Sequence, residues 1–229
     1  MRLRRDRSPE RARHGLTRRE PISRVFGFDR GKPIDRWYIE RFLSSHADDV
    51  RGRVLEVAES TYTEWYGGEK VRRGDVLYAS EGNPEATIVG DLTTGAGLPS
   101  EVFDCFICTQ TLPFIYDVRS AATGCCGLLK PGGVLLATLP GISQISREDR
   151  HCWGDYWRFT TDSARRLFEE AFGPGPVEVT SHGNVLAAAG FLYGFAAEDM
   201  SEAELATQDP DYEMLITVRA VRSGRTAPG

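Results

Sequence analysis

Short apolar runs separated by polar turns recur along the chain and predict a layered α/β sheet. The first run, Val54, Leu55 and Val57, follows Gly52 and precedes a polar turn, which is the pattern of a strand buried on both faces. Later runs predict a strand that ends at 75–77 and strands at 87–89, 104–108, 134–139, 177–180 and 214–221. We therefore expect a mostly parallel sheet with an antiparallel hairpin at one edge.

Apolar residues at helical spacing predict helices between most of these strands. The first helix should run from a cap at Asp35 to Leu43, and others should cover about 117–129, 163–172 (capped by Thr161 or Asp162) and 186–197. The segment before the first helix, 21–33, is predicted to be an ordered loop folded over the domain. Only a short link joins the second and third strands, so either a turn replaces the crossover helix or the second strand lies elsewhere.

A long link, 140–161, follows the fifth predicted strand and is rich in aromatic residues. Loops of this length are usually functional or disordered, and the aromatic content argues against disorder. The link follows the carboxyl end of a central strand, where substrate pockets form, so we interpret it as a pocket wall or a structural plug.

Length and charge predict one domain with two tails. The 229 residues allow a single substantial core, which we place at 21–222, followed by a tail at 223–229. Residues 1–20 hold eight arginines and three acidic residues, a local charge of +5, which leaves −10 for the rest of a chain with a total of −5. This basic arm is either a disordered solubilising tail or a segment that binds phosphates or an anionic membrane surface.

The rest of the composition favours a cytoplasmic protein. The acidic body argues against a nucleic-acid substrate, no apolar run is long enough to span a membrane, and the arginine-rich start lacks the apolar stretch of a secretory signal. The five cysteines are too few and too irregularly spaced for a disulfide framework. Cys105 and Cys108 fall in one predicted strand and should point to opposite faces, so we expect core thiols and no metal site.

A series of motifs in order resembles the class I S-adenosylmethionine-dependent methyltransferases, in particular a small type 11 or type 12 group. The motifs are 54–57, Asp75, 90–92, 103–104, 111–117, the Leu-Lys-Pro-Gly-Gly of 129–133 and the Trp-Arg-Phe-Thr of 157–160. The resemblance extends from about Asp35 to Val221. It implies a three-layer Rossmann-like methyltransferase fold, mostly parallel with an antiparallel edge strand, and S-adenosylmethionine as cofactor.

The resemblance also implies positions for the cofactor. Glu56 and the turn that includes Ala58 and Glu59 would face its methionine part, and Asp75 would face the ribose. Asp91 and Leu92 would contact the adenine, and Thr109 would lie near the sulfonium. Acidic surroundings suit a cationic sulfonium and ammonium. No Asn/Asp-Pro-Pro-Tyr/Phe signature follows the fourth strand, which instead continues as 109–112 (TQTL). This points to a small-molecule acceptor, such as a sugar or a secondary metabolite, methylated on oxygen or nitrogen.

The chain departs from the family at the turn after the first strand, which usually reads Glu-x-Gly-x-Gly-x-Gly. Here residues 56–62 read EVAESTY, and Phe114 replaces a histidine common in the family. Without glycine the backbone approaches a ligand less closely, and Glu59 and Tyr62 would occupy space that the cofactor needs. Altered or lost cofactor binding would make the protein a cyclase or a non-catalytic partner of another protein.

For a methyltransferase, the long link supplies the candidate catalytic residues. A hydroxyl acceptor would need a base, for which we predict His151 or Asp155, with Tyr156 or Trp157 shaping the pocket. His182, at a strand end, is a second choice. The sequence is also compatible with a homodimer.

Overall fold

The computed structural model describes residues 19–173 and 175–224, so most of the predicted basic arm and the end of the tail lie outside the described residues. In these ranges seven strands form one sheet, in the order β3-β2-β1-β4-β5-β7-β6. The strands are β1 (Gly52–Val57), β2 (Val71–Tyr78), β3 (Ile88–Val89), β4 (Phe103–Thr109), β5 (Leu129–Pro140), β6 (Val177–His182) and β7 (Leu215–Val221).

Strand directions confirm the predicted α/β class. β3, β2, β1, β4 and β5 are mutually parallel, and β7 is antiparallel to both β5 and β6. The reversed strand β7 therefore lies one place in from the edge, and β6 forms the edge itself. This arrangement places the carboxyl ends of five neighbouring strands at one end of the sheet, where open α/β sheets bind ligands.

The link between β2 and β3 is a turn that replaces the crossover helix. β3 has two residues and pairs only with the end of β2, Leu77 with Ile88 and Tyr78 with Val89. Because β3 pairs only with the last two residues of β2, the connection has to run back along β2 by just two residues. Residues 79–87 can cover this short distance without a helix. The first of the two alternatives for this segment is correct.

Helices cover both faces of the sheet. They are α1 (Ile34–Ser45), α2 (Thr61–Gly67), α3 (Val118–Leu128), α4 (Arg147–Cys152), α5 (Thr161–Phe172), α6 (Val185–Tyr193) and α7 (Glu202–Ala206). α3 and α5 pack on one face with Leu55, Phe106 and Cys108, whereas α1, α2 and α6 pack on the other with Val54 and Cys105. The buried Cys105 and Cys108 thus point to opposite faces, as the period of the strand predicted.

Several predicted helix ends differ from the observed ones. α1 begins after Pro33, so Asp35 lies in its first turn and is not the N-cap. α5 is capped by Thr160, whose side chain accepts a hydrogen bond from the Ser163 amide, so the predicted caps at Thr161 or Asp162 were wrong. α6 ends at Tyr193 because Gly194 adopts a left-handed φ of 80°, which glycine tolerates without steric cost.

The segment before α1 packs against α6, as the prediction of a loop folded over the domain implied. The Ile22 amide donates to the Tyr193 carbonyl oxygen at 2.8 Å, and Pro33 forms an isolated antiparallel bridge with Ala196. These contacts fix residues 22–33 beside the carboxyl ends of the strands. Across 19–173 and 175–224 no helix is long and apolar enough to cross a membrane.

Candidate active site

A cavity of about 420 Å³ opens at the carboxyl ends of the parallel strands. Its volume lies in the range of small-molecule pockets, about 300–1,000 Å³. Five parts of the chain line it, and each begins at the end of a strand or just after it: 57–59 at β1, 77–79 at β2, 90–92 at β3, 109–115 at β4 and 140–158 at β5. Residues 26–36, Phe191, Met214 and Leu215 complete the wall on the side of α6.

The turn after β1 keeps the backbone geometry of a glycine turn although it contains no glycine. Ala58 adopts a φ of 72°, its amide donates to the Leu77 carbonyl oxygen at 2.9 Å, and its carbonyl accepts from Asn83 Nδ2 at 2.8 Å. An L-residue in this conformation costs about 1–2 kcal/mol. Tertiary contacts therefore hold the turn in a strained shape beside the cavity.

Glu59 and Tyr62, which were expected to occupy the space of the cofactor, leave the cavity open. Tyr62 is buried in the core on the side of α1 and α2 and does not line the cavity. Glu59 lines the cavity with an exposed side chain, and its Oε2 accepts from Thr61 Oγ1 at 2.9 Å. Space for a ligand therefore remains above the turn.

Glu56 lies below the turn and does not line the cavity. Its side chain is 2% exposed and accepts hydrogen bonds from the Tyr62 amide at 3.1 Å, the Thr63 amide at 2.7 Å and Thr63 Oγ1 at 2.8 Å. Burial raises its pKa to about 7 even though these donors favour the charged form. In this structure Glu56 anchors the start of α2.

Asp75 is likewise absent from the cavity wall. It lies in the middle of β2, is 1% exposed and binds Arg53 Nε at 2.7 Å and Arg73 Nη2 at 2.9 Å. Burial opposes its ionisation, but the two arginines outweigh burial and lower its pKa. β2 continues for three residues beyond Asp75, and its cavity end carries Leu77, Tyr78 and Ala79. Its spacing from Glu56 therefore does not bring this acid to a strand tip.

Three other predicted cofactor residues line the cavity together: Asp91, Leu92 and Thr109. Asp91 Oδ1 accepts from the Thr93 amide at 2.7 Å and Oδ2 from Thr94 Oγ1 at 2.9 Å, and these bonds lower its pKa. Leu92 is buried, and its carbonyl oxygen lies directly against α3 at Gly124, where a Cβ would clash. The carboxylate and the apolar side chain are thus fixed by the backbone around them.

The long link contributes one of the three predicted catalytic side chains to the cavity. Asp155 lines it, but the carboxylate is 1% exposed and paired with Arg158, and its pKa is lowered by Arg158 and by the Ser146 amide in spite of burial. His151 is exposed on α4 and lies outside the cavity wall. Tyr156 is also exposed, and its ring packs at 5.4 Å against Tyr116.

The second choice, His182, is also remote from the cavity. It is half-buried on β6, its Nε2 lies 2.9 Å from Thr217 Oγ1, and burial lowers its pKa to about 4. The imidazole is therefore neutral near pH 7 and held in the hairpin of β6 and β7. It does not join a catalytic group.

The sequence did not single out several wall residues, although it predicted that the link 140–161, which holds Trp153, forms a pocket wall or a structural plug. Phe26, Phe28, Asp35 and Arg36 come from the segment before α1 and from its first turn. Trp153, at the end of α4, meets Tyr78 of β2 edge to face, with 5.7 Å between ring centroids. The aromatic content of both segments was visible in the sequence, but only packing shows that they meet over one cavity.

The fold agrees with comparisons to known proteins. A family model described as a methyltransferase domain matches residues 52–137. An S-adenosylmethionine-dependent methyltransferase from Mesorhizobium loti is similar in structure, with a TM-score of 0.55, 17% identity and coverage of 82% of this chain and 98% of that one. The chain therefore has the fold of the class I methyltransferases.

A second solved structure shares this fold. The N-methyltransferase NodS from Bradyrhizobium japonicum, in complex with S-adenosyl-L-homocysteine, has a TM-score of 0.52 and 16% identity, with coverage of 89% of this chain and 95% of that one. A comparison with curated proteins finds no match to this chain. At these identities the structural likeness establishes the fold alone.

Proposed function

We propose that this chain binds S-adenosylmethionine above β1, β2 and β4 and transfers its methyl group to an oxygen or nitrogen atom of a small molecule. The observation that carries the proposal is the open cavity at the strand ends of a class I methyltransferase fold. Of the seven residues that the family resemblance assigned to the cofactor, five line it: Ala58, Glu59, Asp91, Leu92 and Thr109.

The chemistry of the wall suits this cofactor. Glu59 and Asp91 bring negative charge to a cavity that would hold a cationic sulfonium, and Leu92, Ile115 and Tyr78 offer apolar surface for an adenine ring. Asp91 has lone pairs beyond the two used in its turn, so it can accept from an exocyclic amine. S-adenosylmethionine, when bound, supplies an electrophilic methyl group.

The protein would accelerate methyl transfer mainly by positioning the two reactants. A wall built from five chain segments can hold an acceptor atom in line with the methyl group and exclude water, and orientation of this kind accounts for much of the rate of such transfers. We propose that Trp153 closes the cofactor side by its contact with Tyr78. Neither a metal nor a covalent intermediate is required.

Titration calorimetry with S-adenosylmethionine and S-adenosylhomocysteine tests the proposal, together with Asp91→Asn. The asparagine oxygen can still accept from the Thr93 amide, but its NH₂ would meet the donor face of the adenine. We expect at least a tenfold loss of affinity in this variant.

Asp117→Asn is the matched control. Asp117 is also an exposed aspartate whose side chain accepts from a main-chain amide, that of Ser120, and from a serine hydroxyl, but it lies outside the cavity wall. The Asp117→Asn variant should bind S-adenosylmethionine and S-adenosylhomocysteine as tightly as the native chain does. Absence of heat with either ligand at millimolar concentration would contradict the proposal, whereas binding without methyl transfer to any acceptor would favour a cyclase or a non-catalytic partner.

A further inference from the structure

The wall on the side of α6 has an aromatic lining. Phe26, from the segment before α1, packs against Phe191 of α6 with 5.7 Å between ring centroids, and Phe28 lines the same side. Phe26 adopts a φ of 60°, a strained conformation for a bulky residue. It is held there by the turn around Ser23, whose Oγ accepts from the Gly27 amide at 3.0 Å. This part of the cavity is thus fixed in advance of binding.

Asp35 is the carboxylate of this wall, and its bonding leaves it available to a ligand. Its Oδ1 accepts from the Arg36 amide at 2.8 Å, and burial raises its pKa although the charge of the neighbouring Arg36 partly offsets that effect. Within 19–173 and 175–224 no cationic group lies at salt-bridge distance from it. Asp155, whose side chain is buried in the same wall, is neutralised by Arg158. Asp35 therefore keeps an oxygen with unused acceptor capacity in a half-buried position on the cavity wall.

The charges of the cavity as a whole are unbalanced. Five carboxylates line it, and the arginines that line it are Arg36 and Arg158. Arg158 is used by Asp155, whereas the guanidinium of Arg36 acts by its charge on Asp35 and Glu59 and lies 5.9 Å from the centre of the Phe28 ring, so the carboxylates outnumber the arginines by five to two. The five carboxylates are those of Asp35, Glu59, Asp91, Asp149 and Asp155. An anionic acceptor would be repelled by this wall, whereas a cationic one would be attracted.

We propose that the acceptor is an amine, bound with its nitrogen against Asp35 and its apolar part against Phe26, Phe28 and Phe191. This inference rests on the proposed function, because it assigns the acceptor of the same cavity. Aromatic faces and a carboxylate together recognise ammonium groups, since the faces attract the cation and the carboxylate accepts its hydrogen bonds. A neutral hydroxyl could donate one hydrogen bond to Asp35, but it would lack the charge attraction that an ammonium group gains.

The transfer balances with Asp35 as proton acceptor. A bound ammonium group gives one proton to the Asp35 carboxylate and becomes a neutral amine with a free lone pair. That lone pair forms the new nitrogen–carbon bond as the carbon–sulfur bond breaks, and the sulfur keeps the bonding electrons. The products are S-adenosylhomocysteine and an N-methylated ammonium, and Asp35 releases its proton to solvent. No oxidant or further reactant is needed.

The test compares three probes with one ring and one chain length: 2-phenylethylamine, 2-phenylethanol and phenylacetate. Each is titrated into the full chain saturated with S-adenosylhomocysteine. We expect the amine to bind at least tenfold more tightly than the alcohol or the carboxylate. Equal or tighter binding of the alcohol or the carboxylate, or no binding of the amine, would overturn the inference.

Two variants assign the effect to Asp35. Asp35→Asn keeps an oxygen for the Arg36 amide and removes the charge, so we expect at least a tenfold loss of amine affinity with S-adenosylhomocysteine affinity unchanged. Asp29→Asn, on an exposed residue of the same segment outside the cavity wall, should retain both affinities. Unchanged amine binding in Asp35→Asn would overturn the inference. Failure of S-adenosylhomocysteine to bind the native chain would instead contradict the proposed function.

Discussion

Arg158 holds both carboxylate oxygens of Asp155, with Nη1 at 2.5 Å from Oδ1 and Nη2 at 3.0 Å from Oδ2. The same Nη2 donates to the Gln144 carbonyl oxygen at 2.6 Å, and Asp155 Oδ2 accepts from the Ser146 amide at 3.0 Å. One guanidinium therefore ties the end of the long link to its beginning. The pair stabilises the wall of the cavity, and its carboxylate is not free to act as a base.

Breaking this pair should destabilise the fold. Arg158→Met leaves the buried Asp155 carboxylate without its partner, and we expect the free energy of unfolding to fall by about 3 kcal/mol. Asp155→Asn/Arg158→Met removes both charges and should recover at least about 1 kcal/mol of that loss. Urea denaturation of the native chain, both single variants and the double variant gives the coupling energy. A coupling near zero would show that the two side chains act independently.

Glu56 should make stability depend on pH. Its pKa is raised to about 7 in the folded chain from an ordinary value of 4.5, so between these values the folded state holds a proton that the unfolded state has lost. The stability that Glu56 contributes is therefore complete below about pH 4.5 and falls as the pH rises to about 7, by up to about 3 kcal/mol.

Glu56→Gln removes this titration. From pH 4.5 to 7 the native chain should lose stability relative to this variant, and above pH 7 the difference between their free energies of unfolding should stay constant. Urea denaturation at several pH values measures this difference. Glu81→Gln, on an exposed glutamate, is the control for a change of net charge. A difference that does not vary over this range would show that Glu56 is already charged at pH 5.

Ala58→Gly should be tolerated better than an ordinary alanine-to-glycine change. Glycine relieves the left-handed strain at φ 72°, which offsets the entropy that glycine adds to the unfolded chain, so we expect a change between 0 and about +1 kcal/mol in the free energy of unfolding. Ala203→Gly, on the exposed face of α7, should lose about 0.5–1 kcal/mol. Thermal denaturation measures both.

The same variant tests the role of the turn in binding. Ala58→Gly restores one glycine of the family pattern, so we expect tighter binding of S-adenosylhomocysteine by titration calorimetry. A loss of stability equal to that of Ala203→Gly would show that Ala58 carries no strain. Weaker binding would show that the methyl group of Ala58 contacts the ligand favourably.

The sheet was predictable because its signals are local. The apolar run of β1, the Lys-Pro-Gly-Gly before the buried part of β5 and the two-residue alternation of Cys105 and Cys108 each follow from neighbouring residues. The short β2–β3 link was also correctly identified, although the sequence left two explanations open. Pairing of the last two residues of β2 with β3 decided between them.

The amino-acid sequence by itself determined the class of fold and the positions of most strands along the chain, and it predicted ligand binding at the carboxyl ends of the strands. The tertiary structure decided which acids reach that end. β2 continues past Asp75 because it pairs with residues of β1 and β3, which buries that carboxylate between arginines in mid-strand. Asp35 reaches the cavity because α1 begins beside it. Such positions depend on contacts between residues far apart in the chain, and no local pattern records them.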